Sequence, residues 1–448
     1  MTYTTRAEVE IVESSAHRLM VRPARSGLRG QAGVPGDKSI SHRAVLVGAL
    51  ADGTARIRNF LPANDCLATV EAVRALGVEV EFRPDEVLVH GRGLRGLREP
   101  LRPLECGGSG TTMRLLAGVL AGQPFYSVLT GNAQLSARPM DRVAVPLRQM
   151  GATVLGRQGG RYPPLTVVGG DLVPVRYELP VASAQVKSAL LLAGLFAGGV
   201  TTVVEPVPTR DHTERMLAAV GVAVRAEKGM VMVYPPERLQ PLDIRVPGDI
   251  SSAAFLLAAA AIVPGSRVGI PRVGANPGRM GFLHALTRMG AHITLHNEQL
   301  EHGEPIADVE IAHAPLRGIA VSPAEVPGMI DELPLLAVVA ACAQGVTEVR
   351  GAGELRVKET DRIATIVEEL AKMGARIEAL PDGFRVEGPT LMHAARVSSH
   401  GDHRIAMALA VAALRAEGET IIEGTACIGD SFPGFERALA GVVRGELR

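Results

Sequence analysis

One local phrase recurs along the chain: an amphipathic run with helical spacing ends at a glycine, and a run with strand-like alternation follows at once. It occurs at Gly77, Gly151, Gly221, Gly290 and Gly374 and, more weakly, at Gly441, with separations of 74, 70, 69, 84 and 67 residues. Upstream of Gly374, the residues Ile363, Ile366, Val367, Leu370 and Met373 form a stripe at 3.6-residue spacing, and Ile377 begins the alternation beyond it. Glycine suits this point because it adopts the left-handed conformation that ends a helix. Other runs, such as 44–51, 115–121, 189–195, 253–263 and 335–343, are apolar on every side. They predict buried helices, since each falls short of the roughly 18–20 residues that span a bilayer.

A second repeat is sharper. VPGDKS at 34–39 returns as VPGDIS at 246–251, an offset of 212 residues, or three of the shorter periods. The chain therefore reads as two halves of three small α/β units, each unit needing its siblings to bury its apolar face. The junction is expected near 245–247, and the segment before Gly36 is expected to join the second half, because the second copy begins at the equivalent point. A cleft between two such halves is the default ligand site.

Composition narrows the picture. At 448 residues the chain is long enough for two or three domains. Its 47 basic and 47 acidic side chains cancel, which argues against nucleic acid as a partner but leaves small anions open. Only five of the basic residues are Lys; the other 42 are Arg. Fifty Gly, 30 Pro, no Trp and 3% aromatics imply many turns and few large core residues. Cys66, Cys106, Cys342 and Cys427 lie far apart without zinc-type spacing, which points to reduced cytosol. Residues 1–17 lack an apolar core segment and are expected to be a mobile tail, not a signal or transit peptide.

Polar motifs stand where the apolar runs begin. Lys38, Ser39 and Arg43 lie before the run 44–51, where free backbone N–H groups can meet an anion. The copy at 246–251 keeps Gly-Asp-x-Ser but has Ile250 and Phe255 in place of the two cations, so the fold does not require those charges. The segment 105–114 is a glycine-rich turn whose Gly110 and Thr111 amides could approach an anion closely. Ser183, Gln185 and Lys187 precede the run 189–195, and a polyol site or a simple helix cap would explain them equally. Asp331 precedes the run 335–343, Lys358 and Arg362 are spaced to share a helix face with Glu359 beside them, and Arg404 opens a further apolar run. Lys38, Lys187 and Lys358 are three of the five lysines, and an amine can move a proton as well as bind a phosphate. GRGLRG at 91–96 fits a dinucleotide fingerprint but leads into Pro100 and Pro103 instead of a helix, and is set aside.

Together, GDKSISHR at 36–43, GSGTTMR at 108–114, SARP at 136–139, SAQVKSA at 183–189, TRDHTE at 209–214, DELP at 331–334, LRVKETDR at 355–362 and GDHRIAM at 401–407 closely resemble the 5-enolpyruvylshikimate-3-phosphate (EPSP) synthase family. The resemblance implies a two-domain inside-out α/β barrel, or prism, each domain three βαβαββ-like repeats about a pseudo-threefold axis. Residues 1–34 with 248–448 would form domain I and 35–247 domain II. It implies transfer of the enolpyruvyl group of phosphoenolpyruvate to the 5-hydroxyl of shikimate 3-phosphate through a tetrahedral intermediate, with phosphate released. On that resemblance, Ser39, Arg43, Ser183, Ala184, Gln185, Arg210, Asp331 and Lys358 would hold shikimate 3-phosphate. Gly110, Arg138, Gln185, Arg362 and Arg404 would hold phosphoenolpyruvate, and Lys38 would touch both. Asp331 would accept the hydroxyl proton, while Glu359, or Lys38, would move the proton at the methylene carbon. No metal or organic cofactor, nucleic acid or membrane partner is implied, and a cytoplasmic monomer is expected.

The sequence also departs from the family pattern. Gly108 stands where many members carry Asn, and Asp430 where some carry a Lys that binds phosphoenolpyruvate, so those contacts do not carry over. On the resemblance, Gly110 is the position where an added methyl would crowd glyphosate, which implies sensitivity to that inhibitor. The nearest alternative is the enolpyruvyltransferase acting on UDP-N-acetylglucosamine, whose loop carries a Cys before the Arg-Pro pair; 130–138 has none. A non-catalytic ligand-binding homologue is disfavoured by the presence of Asp331, Lys358 and Glu359 together.

Overall fold

The computed structural model describes residues 12–14 and 17–445. The chain divides into two compact units: a central one, Gly36–Pro247 with Leu300–Glu304, and a flanking one made of the described residues up to Pro35, Gly248–Gln299 and those from Pro305 on.

The central unit holds three four-stranded mixed sheets. Their strands, in spatial order, are Asp243–Arg245, Thr54–Arg58, Glu86–His90 and Glu79–Phe82; Leu104–Glu105, Tyr126–Thr130, Tyr162–Val168 and Thr153–Gly156; and Arg176–Glu178, Thr201–Val204, Met230–Val233 and Val224–Glu227. Each sheet has one parallel edge pair followed by two antiparallel pairs. Such regularity is the structural form of the sequence repeat.

The flanking unit carries three sheets of its own. Arg29–Gln31, Arg267–Gly274, Glu304–Ala312 and His292–Glu301 form the first; Ala320–Val321, Gly345–Val349, Gly383–Gly388 and Arg376–Leu380 the second; Arg396–Ser398, Thr420–Glu423, Arg18–Val21 and Val12–Ser14 the third. In the third, two strands from the start of the chain complete a sheet begun near its end. Of the expected tail 1–17, residues 1–11 and 15–16 lie outside the described residues; Val12–Ser14 is not a tail but the edge strand of that sheet.

Helices come in two kinds, as the patterns required. Lys38–Leu50, Gly110–Ala121 and Ala184–Gly194 are buried along nearly their whole length in the central core. Ile250–Ile262, Leu333–Cys342 and His403–Ala413 do the same in the flanking core. An apolar surface on all sides leaves a helix nowhere to lie but inside. Contact is close: a Cβ added at Gly118 would sit 2.2 Å from the Ala189 carbonyl oxygen on the neighbouring helix. Among the described residues, no helix is long and apolar enough to cross a membrane.

The amphipathic helices cover the sheets, and five of the six predicted glycines follow them with φ between 87° and 109° (Gly77, Gly151, Gly221, Gly290 and Gly374). The sixth expectation is corrected. Gly441 lies inside the helix Phe435–Arg444, and Gly445, at φ 68°, is the left-handed residue after it. A glycine in an amphipathic run is locally indistinguishable from one that ends it.

Candidate active site

Because the buried helices are apolar throughout, their ends are where chemistry can be offered. Free N–H groups and the positive end of the helix dipole favour anions at the N-terminal end. Five of the six entrances are capped by short polar side chains: Asp37 Oδ1 accepts the Ile40 N–H at 2.9 Å, Ser109 Oγ that of Thr112 at 3.1 Å, and Ser183 Oγ that of Val186 at 3.4 Å. Asp249 Oδ1 accepts from Ser251 at 2.9 Å, and Asp402 Oδ1 from Arg404 at 2.8 Å. With Asp37 as cap, the first helix begins at Lys38, six residues before its apolar run, and the Ser39 hydroxyl is left for other use.

In the central unit, Arg43 is almost wholly buried. Its Nε donates to Thr213 Oγ1 at 2.7 Å, Nη2 to Ser188 Oγ at 2.7 Å and Nη1 to the Ser39 carbonyl at 2.9 Å, so its hydrogen bonds go to hydroxyls and a carbonyl rather than a carboxylate. Burial first, and then the charge of Arg210, push its pKa down to about 10. Arg210 Nη1 donates to Ser39 Oγ at 3.3 Å. Two guanidinium groups therefore meet at one serine, an arrangement that an anion would relieve. Lys38 Nζ lies 3.0 Å from Asp65 Oδ2, both about one-sixth exposed.

A second part of this unit surrounds Gly110, the first residue of its helix. Arg114 Nη1 donates to Gln185 Oε1 at 2.6 Å and Nη2 to the Pro139 carbonyl at 3.1 Å, while Gln185 Nε2 donates to Thr111 Oγ1 at 2.8 Å. Arg114 thus ties the Gly110 entrance to Gln185 and to the loop of Arg138. A Cβ at Gly110 would sit 3.1 Å from Arg138 Cζ. Ala184 is the buried first residue of its helix, beside the capping Ser183. Lys187, expected at that entrance, points inward instead: its Nζ is 2.6 Å from Glu214 and 3.0 Å from Glu205, with the side chain 1% exposed.

In the flanking unit, Arg362 is the hub. Its Nε is 2.7 Å from Asp402 Oδ2, Nη2 is 2.6 Å from Glu359 Oε2, and Nη1 is 3.4 Å from Asp331 Oδ1. Burial opposes its charge, but Asp402, Glu359 and Asp331 outweigh it and hold the pKa above that of an ordinary arginine. Lys358 Nζ is 3.7 Å from the same Asp331 oxygen. Lys358 and Arg362 do not share a helix as the spacing predicted. A short 3-10 turn, Gly353–Val357, ends at Lys358, and Asp361 caps a new helix, Arg362–Lys372, so the two cations meet through Asp331. Arg404 Nη1 lies 3.8 Å from Glu332 Oε1, and its guanidinium sits 6.0 Å from the centre of the Phe255 ring. Glu332, not Asp331, occupies the cap position of Leu333–Cys342, and its side chain makes no cap bond. Its Oε1 instead accepts from Ser251 Oγ, which also receives Arg279 Nη2.

A family profile described as EPSP synthase (3-phosphoshikimate 1-carboxyvinyltransferase) matches residues 23–439. The chain belongs to the EPSP synthase family. It is 54% identical to the 3-phosphoshikimate 1-carboxyvinyltransferase of Desulforudis audaxviator over 94% of this chain and 98% of that one. It is 56% identical to the enzyme of that name from Pelotomaculum thermopropionicum, over 93% and 97%. A solved EPSP synthase from Acinetobacter baumannii, 45% identical, superposes with a TM-score of 0.84 over 94% of this chain and 97% of that one. The enolpyruvyl transferase NikO from Streptomyces tendae, 18% identical, shares the fold, with a TM-score of 0.77 over 95% and 97%.

For this EPSP synthase family member, motif reading found the cations but not what holds them. No role falls to Asp65, Glu332, Asp402, Arg114 or Thr213 from the motifs, and Ser188 stands there only as a second hydroxyl at the entrance of its helix. Gly-Asp occurs five times, and at 36–37, 248–249 and 401–402, though not at 170–171 or 429–430, it opens a buried helix, a signal for Asp402 as a cap but not as the partner of Arg362.

Proposed function

We propose how the two clusters divide the work of moving the enolpyruvyl group of phosphoenolpyruvate to the 5-hydroxyl of shikimate 3-phosphate, with release of phosphate. Ser39, Arg43, Ser183, Ala184, Gln185 and Arg210 hold shikimate 3-phosphate, and Lys38 contacts both substrates. Buried Arg43, bonded to hydroxyls and a carbonyl with Arg210 at the same serine, carries this reading. Arg138, the Gly110 amide, Gln185, Arg362 and Arg404 hold phosphoenolpyruvate, whose carboxylate and phosphate suit bidentate guanidinium groups.

Asp331 accepts the 5-hydroxyl proton as the oxygen bonds to the enol carbon, and Lys358 stays beside the same ring. Glu359 or Lys38 gives a proton to the methylene carbon, forming the tetrahedral ketal phosphate. Elimination reverses the proton step: the new methyl group loses a proton, the C–O bond to phosphate breaks, and the double bond returns. The finer architecture belongs to the same reading. Residues 1–34 with 248–448 act as domain I and 35–247 as domain II, each a prism of three repeats about a pseudo-threefold axis. The four cysteines, none in a disulfide, suit the reduced cytosol, and a monomer is part of the same proposal.

Phosphate release tests the substrate assignment. Turnover is expected with phosphoenolpyruvate and shikimate 3-phosphate, and none with phosphoenolpyruvate and UDP-N-acetylglucosamine. Turnover with the UDP-sugar alone would overturn it.

A further inference from the structure

Lys187 takes no part in the scheme above, yet its ammonium is enclosed among three acceptors. Glu205 Oε2 lies at 3.0 Å, Glu214 Oε1 at 2.6 Å and the Thr209 carbonyl at 3.5 Å. These account for all three donors of the amine. The Glu205 and Glu214 side chains are only 5% and 8% exposed. A buried ion cluster of this kind is weak evidence for stability, because desolvation offsets the attraction. Its value is better sought in what it positions.

Glu205 uses its second oxygen on Thr209: Oε1 accepts the Thr209 N–H at 3.2 Å and also the Thr209 hydroxyl. Thr209 is therefore fixed at its nitrogen, its hydroxyl and its carbonyl by Lys187 and Glu205 together. Residues 205–211 form no helix or strand, so no regular ladder holds the backbone there. The next residue is Arg210, whose guanidinium reaches Ser39 Oγ. Glu214, the third member, stands in the first turn of the helix His212–Ala219, next to Thr213, the acceptor of Arg43 Nε.

We infer that Lys187 and Glu205 are positioning residues for Arg210: by fixing Thr209 they keep the Arg210 guanidinium beside Ser39 and thereby set the affinity for the phosphate of shikimate 3-phosphate. This rests on the reading that Ser39, Arg43 and Arg210 hold that phosphate.

Steady-state kinetics of Thr209→Val, Glu205→Gln and Arg210→Ala test it, with Tm measured alongside. Lys187→Met strands two carboxylates in the interior and is prone to misfold, so Thr209→Val, which leaves the ion cluster intact, carries the test. Thr209→Val and Glu205→Gln are expected to raise KM for shikimate 3-phosphate about 5- to 30-fold, part of the roughly 10- to 150-fold that a hydrogen bond to a charged group is worth, because the lost bond acts on Arg210 only through Thr209, with kcat and KM for phosphoenolpyruvate within about twofold of wild type. The double variant Thr209→Val/Arg210→Ala should be no worse than Arg210→Ala. An unchanged KM for shikimate 3-phosphate in both single variants, or a lowered Tm without that kinetic split, overturns the inference while leaving the phosphate reading intact. If Arg210→Ala itself leaves KM unchanged, the phosphate reading fails and takes the inference with it.

Discussion

Arg362 Nε lies 2.7 Å from Asp402 Oδ2, and the other oxygen of that carboxylate takes both Arg362 Nη2 at 3.2 Å and the Arg404 backbone N–H at 2.8 Å. A single wholly buried side chain thus orients one arginine assigned to phosphoenolpyruvate and caps the helix that carries the other. Asp402→Asn keeps a good cap residue but removes the charge from the pair. It is expected to raise KM for phosphoenolpyruvate by roughly tenfold or more while leaving KM for shikimate 3-phosphate near wild type. Asp402→Ala loses the cap as well and strands part of a buried ion pair, at a cost of roughly 3–5 kcal/mol in urea unfolding. A wild-type KM for phosphoenolpyruvate in Asp402→Asn would reduce Asp402 to a cap.

Asp331 approaches Lys358 and Arg362 with the same oxygen, at 3.7 and 3.4 Å, and is about one-fifth exposed. In the proposed scheme this partly open carboxylate, kept ionised by the two cations, takes the proton of the substrate hydroxyl. Asp331→Ala should lower kcat by roughly 10²–10⁴-fold, the usual worth of a general base. Calorimetric binding of shikimate 3-phosphate should persist, because the phosphate contacts assigned to Ser39, Arg43 and Arg210 remain. Near-normal turnover in this variant would remove Asp331 from the proton path.

How far the sequence carries depends on whether the deciding interaction is local. The left-handed glycines at 77, 151, 221, 290 and 374 were legible because helix termination is decided within one turn. Strand Val12–Ser14 was not, because its neighbour Arg18–Val21 pairs with Thr420–Glu423, some four hundred residues away, and no local pattern encodes that pairing. The site divides the same way. Cations in motifs could be read, whereas Asp65, Asp402 and Glu332 became visible as their partners only through tertiary contact. Lys187 misled for a related reason: its helix is buried on every side, so no amphipathic phase distinguishes an inward lysine from one at the entrance.

At Gly110 an added methyl would lie 2.8 Å from Arg114 Nη1 and 3.1 Å from Arg138 Nη1. Both neighbours are ends of flexible side chains, so they will yield before the backbone does. Gly110→Ala is therefore expected to fold with nearly unchanged Tm but to bind phosphoenolpyruvate roughly tenfold more weakly, since about 1.4 kcal/mol of displaced guanidinium contact corresponds to that factor. Shikimate 3-phosphate, assigned to Arg43 and Arg210, should bind as before. An unchanged KM for phosphoenolpyruvate would mean that Arg138 relaxes without losing its contact.

His42 stands between Lys38 and Arg43 in sequence but faces the interior, with Nδ1 2.7 Å from Thr69 Oγ1 and Nε2 buried without a hydrogen-bond partner. Burial first, and then the charges of Lys38 and Arg43, hold its pKa well below the usual histidine range. The folded protein therefore resists protonating this ring, while the unfolded chain accepts a proton below about pH 6.5. Below that pH the unfolded state binds more protons, so stability is fully present above about 6.5 and falls as the pH drops toward the depressed folded value. Urea unfolding at pH 7.5 and 5.5 measures the effect. The loss of stability between those pH values should be smaller by roughly 1 kcal/mol in His42→Asn, which can keep a bond to Thr69 but does not titrate. If His42→Asn loses as much stability on acidification as the wild type, the acid sensitivity arises from other groups, and the ring's burial beside the two cations has no measurable linkage to folding.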